Sequence, residues 1–118
     1  MDIESFRNYC VHKPGVTEEF PFDEKTLALK VLGKIFAITN IDSFVSLNLK
    51  ADPEQAILQR EQYEAVQPGY HMNKKHWNTI YLDGSIPDKI LLKWIDESYH
   101  LVVKSLPVKS QKLLNNSN

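Results

Sequence analysis

The chain has 118 residues, 42% hydrophobic and 25% charged, with a formal net charge of -1. That is the size of one domain with its own core, and the charge balance excludes a globally basic nucleic-acid binder. No apolar run reaches the length of a membrane span, so no membrane partner is expected. The opening MDIESFRNYC carries acids and no apolar h-region, so no signal peptide is expected either. A single cysteine, Cys10, fits a reducing compartment, and a cytoplasmic location is the expectation. Cys10 reads as a small buried apolar residue on a helix rather than a nucleophile.

Asp2 is placed to cap a first helix carrying Ile3, Phe6 and Cys10, which ends before Lys13-Pro14-Gly15. In VTEEFPF, residues 16–22, Val16, Glu18, Phe20 and Phe22 share one parity, and Pro21 confines the segment to a sheet edge or a bulge. TLALKVL (26–32) alternates, with Leu27, Leu29 and Val31 on one face. Gly33-Lys34 marks a turn into KIFAIT (34–39). FVSLNLK (44–50) puts Val45, Leu47 and Leu49 inward and Ser46, Asn48 and Lys50 outward, completing an antiparallel meander with one wet face. Asp52-Pro53-Glu54 starts a helix that ends near Gln62. WNTIYL (77–82) reads as a strand. Ser85 and Asp88 outline a capping box before a last helix with Ile90, Leu91, Trp94, Ile95, Val102 and Leu106 on its apolar stripe. Within it, Ser98 is expected to bond back to its own helix and Tyr99 to cap the sheet edge. Pro107 stops that helix, and residues 107–118 form a polar tail expected to fray. Residues 1–106 thus form a single α+β domain: two layers, an antiparallel β-sheet with helices packed on one face.

Charge is unevenly distributed. Residues 1–24 sum to -4, 25–50 to +3, 51–64 to -3 and 65–118 to +3. The most unusual stretch is PGYHMNKKHW, residues 68–77, which mixes turn formers, aromatics, histidines and lysines with no acid. Lysines beside aromatics suit phosphate contact combined with stacking. Lys30, Lys34, Lys50, Lys74, Lys75 and His76 are therefore the candidates for a weak, electrostatic contact with DNA. With Arg7 and Arg60 the only arginines, base-specific readout is not expected. The alternative is a small-ligand or protein-binding pocket lined by Tyr70, His71, Asn73, Trp77 and Asn78. A purely structural reading stands beside both: Pro68-Gly69 as a turn, Tyr70 and Trp77 burying their rings, Lys74-Lys75 as a solvated tip.

No catalytic residue, metal ligand or cofactor is assigned. There is no GxSxG, P-loop, GxGxxG or HExxH, and an enzyme on the same pocket ranks last. His71 and His76 lack the third and fourth ligands that zinc requires. Asp2, Glu4, Glu18, Glu19, Asp23 and Glu24 read as plain surface rather than a cation cluster.

Three runs, PGVTEEFPFDEKTLALKVLGKIFAI, PGYHMNKKHWNTIYLDGSIP and WIDESYHLVV, resemble the MmcQ/YjbR family, over about Asp2 to Lys104. The resemblance implies a CyaY-like (frataxin-like) α+β fold. It also implies a "double wing" DNA-binding-like architecture with hairpins as wings, and no established catalytic residue or cofactor. A non-catalytic, DNA-binding-like module leads on this reading, with the ligand or protein pocket as its alternative.

Overall fold

The computed structural model describes residues 1–115. The chain runs α1 (Ile3–Val11), β1 (Val16–Glu19), β2 (Thr26–Val31), β3 (Lys34–Asn40), β4 (Ser46–Lys50), α2 (Pro53–Gln62), β5 (Val66–Pro68), β6 (Trp77–Tyr81), α3 (Asp88–Ser105) and α4 (Val108–Asn115). The six strands form one antiparallel sheet in the order β1-β2-β3-β4-β6-β5. The expected α+β, two-layer class is what the chain adopts, with one strand and one helix more than expected.

The register assigns the faces. Leu27 pairs with Thr39, Thr39 with Leu47, Leu47 with Ile80, and Ile80 with Val66. Paired residues share a side of the sheet, so this row and its parity mates Leu29, Ala37, Leu49 and Asn78 face the helices. All are buried. The opposite parity, Ala28, Ile38, Asn48 and Thr79, faces away. A register shift between the Leu29–Ala37 and Lys30–Ile35 pairs frees Phe36. Its ring turns inward and meets Tyr99 of α3 edge-on, with centroids 5.5 Å apart.

Local chemistry fixes the elements. Asp2 accepts a hydrogen bond from the Ser5 amide at 2.8 Å and caps α1. Leu32 (φ 46°) and Gly33 (φ 87°) form a two-residue turn of the primed type, whose twist suits a hairpin. The turn therefore sits one residue earlier than Gly33-Lys34, and Lys34 is the first residue of β3. Phe44 has φ 42°. That bend brings its ring onto Phe6, 5.6 Å away, and turns Val45 outward, so Val45 is exposed rather than inward.

Helix α3 crosses the sheet with Trp94 buried as expected and set edge-on against Tyr63 at 5.6 Å. Ser98 does not bond to its own helix turn. Its buried hydroxyl donates to the Phe36 carbonyl at 2.5 Å and accepts from the Lys50 amide at 2.9 Å. Continuing the β3–β4 register puts Phe36 opposite Lys50, so the hydroxyl stands between two strands where the ladder opens. Tyr99 donates to the Pro14 carbonyl at 2.7 Å and ties α3 to the end of α1 rather than to the sheet edge. Lys13 and Tyr9 both bond to Asp96, reinforcing the same joint.

Three further expectations are corrected. The capping box does not form: the Ser85 hydroxyl donates to Asp83 at 2.6 Å, and the Asp88 carboxylate takes the Met1 ammonium at 3.1 Å. With Pro87 at the cap position, α3 begins without a side-chain cap bond. Strand β1 stops at Glu19, before Phe20-Pro21-Phe22, because proline offers no amide to the ladder. The tail does not fray at 108–115. It forms α4, and Leu114 is buried in the core beside Gly15 and Leu32. An apolar anchor is enough to hold a short polar helix. Residues 116–118 of that tail lie outside the described residues.

Cys10 is fully buried, and desolvation pushes its thiol up to about 12. It stays protonated at neutral pH and is inert.

Ser98→Ala leaves the Phe36 carbonyl and the Lys50 amide without their partner, and a loss of about 1–3 kcal/mol is expected. Urea unfolding checks it; a loss below about 0.5 kcal/mol would mean that the two strands close on each other without the hydroxyl.

Candidate functional site

Helices cover one face of the sheet, and the other has two loops at its margins. From the β1–β2 connection Phe22 stands over Thr26, 64% exposed. From the β5–β6 connection Tyr70, His71 and Met72 fold back over β4 and β6. Between them lies a groove of about 560 Å³. Thr26, Ile38, Thr39, Asn40, Ser46 and Asn48 complete its lining. Among the described residues, no carboxylate, ammonium or guanidinium belongs to that lining.

The 69–76 loop is held by its own residues and by two bonds from outside it, Arg60 of α2 to the Lys74 carbonyl at 3.0 Å and the Ala51 amide to the His76 carbonyl at 2.9 Å. The Gly69 amide donates to the Trp77 carbonyl at 2.9 Å. A Cβ at Gly69 would stand 3.0 Å from both Trp77 Cβ and Trp77 O, so only glycine fits this approach without a shift. The Asn73 carbonyl accepts from the His76 and Trp77 amides at 3.2 and 2.9 Å, and its side chain accepts from the Lys75 amide at 2.9 Å. The Lys74 ammonium donates back to the Gly69 carbonyl at 3.1 Å.

The bond that seats the loop on the sheet goes to Thr79. The Tyr70 amide donates to Thr79 Oγ1 at 2.9 Å, and Thr79 Oγ1 donates to Asn48 Oδ1 at 2.5 Å. Directly after Tyr70, His71 adopts φ 58°, the left-handed region. Histidine enters that region more readily than most residues but still at a cost. The Tyr70 and His71 rings lie 4.0 Å apart at 52°.

The expected pocket residues divide. Tyr70 and His71 line the groove, and Tyr70 is 68% exposed, so its ring is not buried as the structural reading had it. Asn73 closes the loop rather than facing the groove. Trp77 begins β6 opposite Lys50, half-buried and outside the groove lining. Asn78 points to the other face. Fully buried, it donates to the Ala56 carbonyl at 3.1 Å and to Gln59 Oε1 at 3.0 Å, and accepts from Arg60 at 3.2 Å. It fastens α2 to β6. The groove residues that sequence reasoning missed as a site are Phe22, Thr26, Ile38, Asn40, Ser46, Asn48 and Met72, with Thr79 beneath them. For the strand residues among them, outward parity was the available signal.

The cationic candidates gather at one end of the sheet. Lys30 and Lys34 flank the β2–β3 hairpin, Lys50 ends β4 beside Trp77, and Lys74, Lys75 and His76 precede Trp77. Two of these ammonium groups are engaged: Lys30 with Glu19 at 3.2 Å and Lys74 with the Gly69 carbonyl. Asp23, Asp42 and Asp83 lie at the opposite end, where β2 and β4 begin and β6 finishes. Hydrogen bonds from Lys25 and Thr26 lower the pKa of Asp23, and those from Ser85 lower that of Asp83. The separation is partial: Lys25 pairs with Asp42 at 3.5 Å among those acids, and Asp52 follows Lys50 at the cationic end. Among the acids once weighed as a cation cluster, Glu18 pairs with Arg7 at 2.6 Å and Asp2 caps α1.

The strain at His71 has a testable signature. His71→Gly removes the ring but also the left-handed cost, so stability is expected to stay within about 0.5 kcal/mol of the parent protein. A loss above about 1 kcal/mol by urea unfolding would mean that the ring itself holds the loop.

Comparison with known proteins places the chain. The YjbR family model matches residues 11–101. The uncharacterised protein YjbR of Escherichia coli K12 is 39% identical over 115 residues, covering 97% of this chain and 98% of that one. The uncharacterised protein YbdF of E. coli O157:H7 is 34% identical, covering 92% and 90%. A crystal structure of a Deinococcus radiodurans protein with a DUF419 domain superposes with a TM-score of 0.89 at 38% identity, covering 97% of this chain and 88% of its own. A Pseudomonas syringae protein superposes with a TM-score of 0.72 at 26% identity, covering 86% and 98%. By model match and by full-length relatives alike, the chain belongs to the YjbR family.

Proposed function

We propose that this chain is a non-catalytic binding module whose site is the groove on the helix-free face, with a small organic molecule as its ligand. The observation that carries this reading is the seating of the loop. A non-glycine residue is held at φ 58°, and the amide before it is bonded to a buried hydroxyl, so that two rings stand over a concave floor. Strained backbone next to a cavity is characteristic of binding sites. The groove's volume and its mixture of apolar walls with a few polar groups are those of a small-molecule site. The buried, protonated thiol of Cys10 supports a binding role over nucleophilic chemistry.

Titration with neutral aromatic fragments, followed by 1H–15N shifts, tests the reading. Perturbations are expected at Ile38, Asn48, Thr79 and Tyr70–Met72. The Phe22→Ala/Tyr70→Ala double variant is expected to weaken binding at least about ten-fold, since two exposed aromatic walls are lost. Shifts concentrated elsewhere, or none, reject the groove.

A second reading, weak contact with DNA, is favoured by one observation: the cationic candidates share one end of the sheet. Such contact is electrostatic, with a log-log salt slope of about -0.9 per phosphate contacted on duplex DNA. Lys75, with its side chain unbonded among the described residues, and Lys74 are the residues to change. Titration of labelled duplex at low salt is expected to lose its binding in the Lys74→Glu/Lys75→Glu variant. Coincident curves for the two proteins, or no binding by the parent, reject it.

A further inference from the structure

We infer that the groove selects a neutral, planar compound bearing hydrogen-bond acceptors, held by the side-chain amides of Asn40 and Asn48. This rests on the groove being the binding site and adds the chemistry of what it takes.

The argument is an accounting of donors and acceptors. The Thr79 hydroxyl is nearly fully buried and has one hydrogen. The Tyr70 amide can only donate, so Thr79 Oγ1 accepts that bond and must place its own hydrogen elsewhere. Its partner is Asn48 at 2.5 Å, which fixes the Asn48 carbonyl oxygen toward Thr79. The amide group of Asn48 is thereby turned the other way, with two N–H donors and no bond to any described residue. Asn40 is fixed independently. Its Oδ1 accepts from the Asp42 and Ser43 amides at 2.9 and 3.1 Å, and its NH2 has no bond to any described residue. Both residues line the groove. Ile38 pairs with Asn48, so Asn40 is its diagonal neighbour on the next strand. Diagonal neighbours lie about 7–8 Å apart, the span of a bicyclic ring system.

The floor therefore offers donors whose own acceptors are already occupied. A ligand that brings acceptors satisfies them; one that brings only donors leaves these two NH2 groups unpaired, which disfavours it. Among the described residues no carboxylate, ammonium or guanidinium joins the lining, so a charged ligand would lose water without gaining a permanent counter-charge. The walls are the rings of Phe22 and of Tyr70 with His71, which favour a planar aromatic partner.

Coumarin and indole separate the possibilities. Both are neutral planar bicycles; coumarin carries only acceptors and indole presents an N–H donor. Each is titrated into 15N-labelled protein, with the Asn40 and Asn48 side-chain NH2 signals and the groove amides as readouts. Coumarin is expected to shift both NH2 signals and to bind at least about ten-fold more tightly than indole, the scale set by one satisfied hydrogen bond. Asn48→Asp keeps the acceptor for Thr79 but removes the donors, and is expected to weaken coumarin by a similar factor. Asn40→Asp does the same at the second position and serves where the first variant does not fold. Equal binding of coumarin and indole in the groove, or unchanged coumarin binding in the folded variants, overturns the donor assignment and leaves the groove as a binding site. Absence of any groove perturbation by either compound overturns both.

Discussion

The open face of this protein is organised by one hydroxyl. Thr79 lies in β6, between the strand that carries Asn48 and the loop that carries Tyr70. By accepting from one and donating to the other it joins three things that are far apart in sequence: the loop's entry, the floor's polarity and the position of the rings above the floor. A buried hydroxyl with both roles filled is stable; with either role empty it is costly. The seating of Tyr70 and the orientation of Asn48 thus both follow from the satisfaction of a single buried group.

The two faces of the sheet use polar groups for opposite ends. On the helix side, Asn78 and Ser98 are fully buried and fully bonded, and each fastens a helix to strands. Their bonding leaves nothing for a ligand. On the open side, Asn40 and Asn48 are held through their oxygens, with their NH2 groups turned away from those bonds. The same residue type is structural on one face and available on the other, and strand parity alone decides which. The charge pattern is layered on top: the cationic candidates lie at the end of the sheet that holds the β2–β3 hairpin.

Much of this was legible in the sequence. Alternation gave Leu27, Leu29, Leu47 and Leu49 to the core, and Asp52-Pro53 gave the start of α2. The family motifs led to the fold class that the sheet and helices display. Asn78 was readable as well: Ile80 is an obvious core residue, and Asn78 shares its parity. Its amide drew attention to chemistry instead. Val45 was misread because alternation carries no notice of a positive φ at Phe44. Strand β5 was missed because three residues ending in proline give no periodic signal. Helix α4 was missed because its support is one distant contact, Leu114 against the region of Gly15 and Leu32. The groove was half legible. Ser46 and Asn48 were assigned to the wet face, but the return of the 69–76 loop over that face depends on the bond to Thr79, a long-range event that no local pattern announces.

The central claim is that Thr79 holds the ring-bearing loop over the floor. Amide hydrogen exchange at Tyr70, in the parent protein and in Thr79→Val, tests it most directly. Valine matches threonine in shape and lacks the hydroxyl. The account predicts a slow Tyr70 amide in the parent protein and exchange faster by about ten-fold or more in the variant, a scale set by the loss of one hydrogen bond, while Leu47 and Ile80 keep their protection. Equal Tyr70 exchange in the two proteins would contradict it.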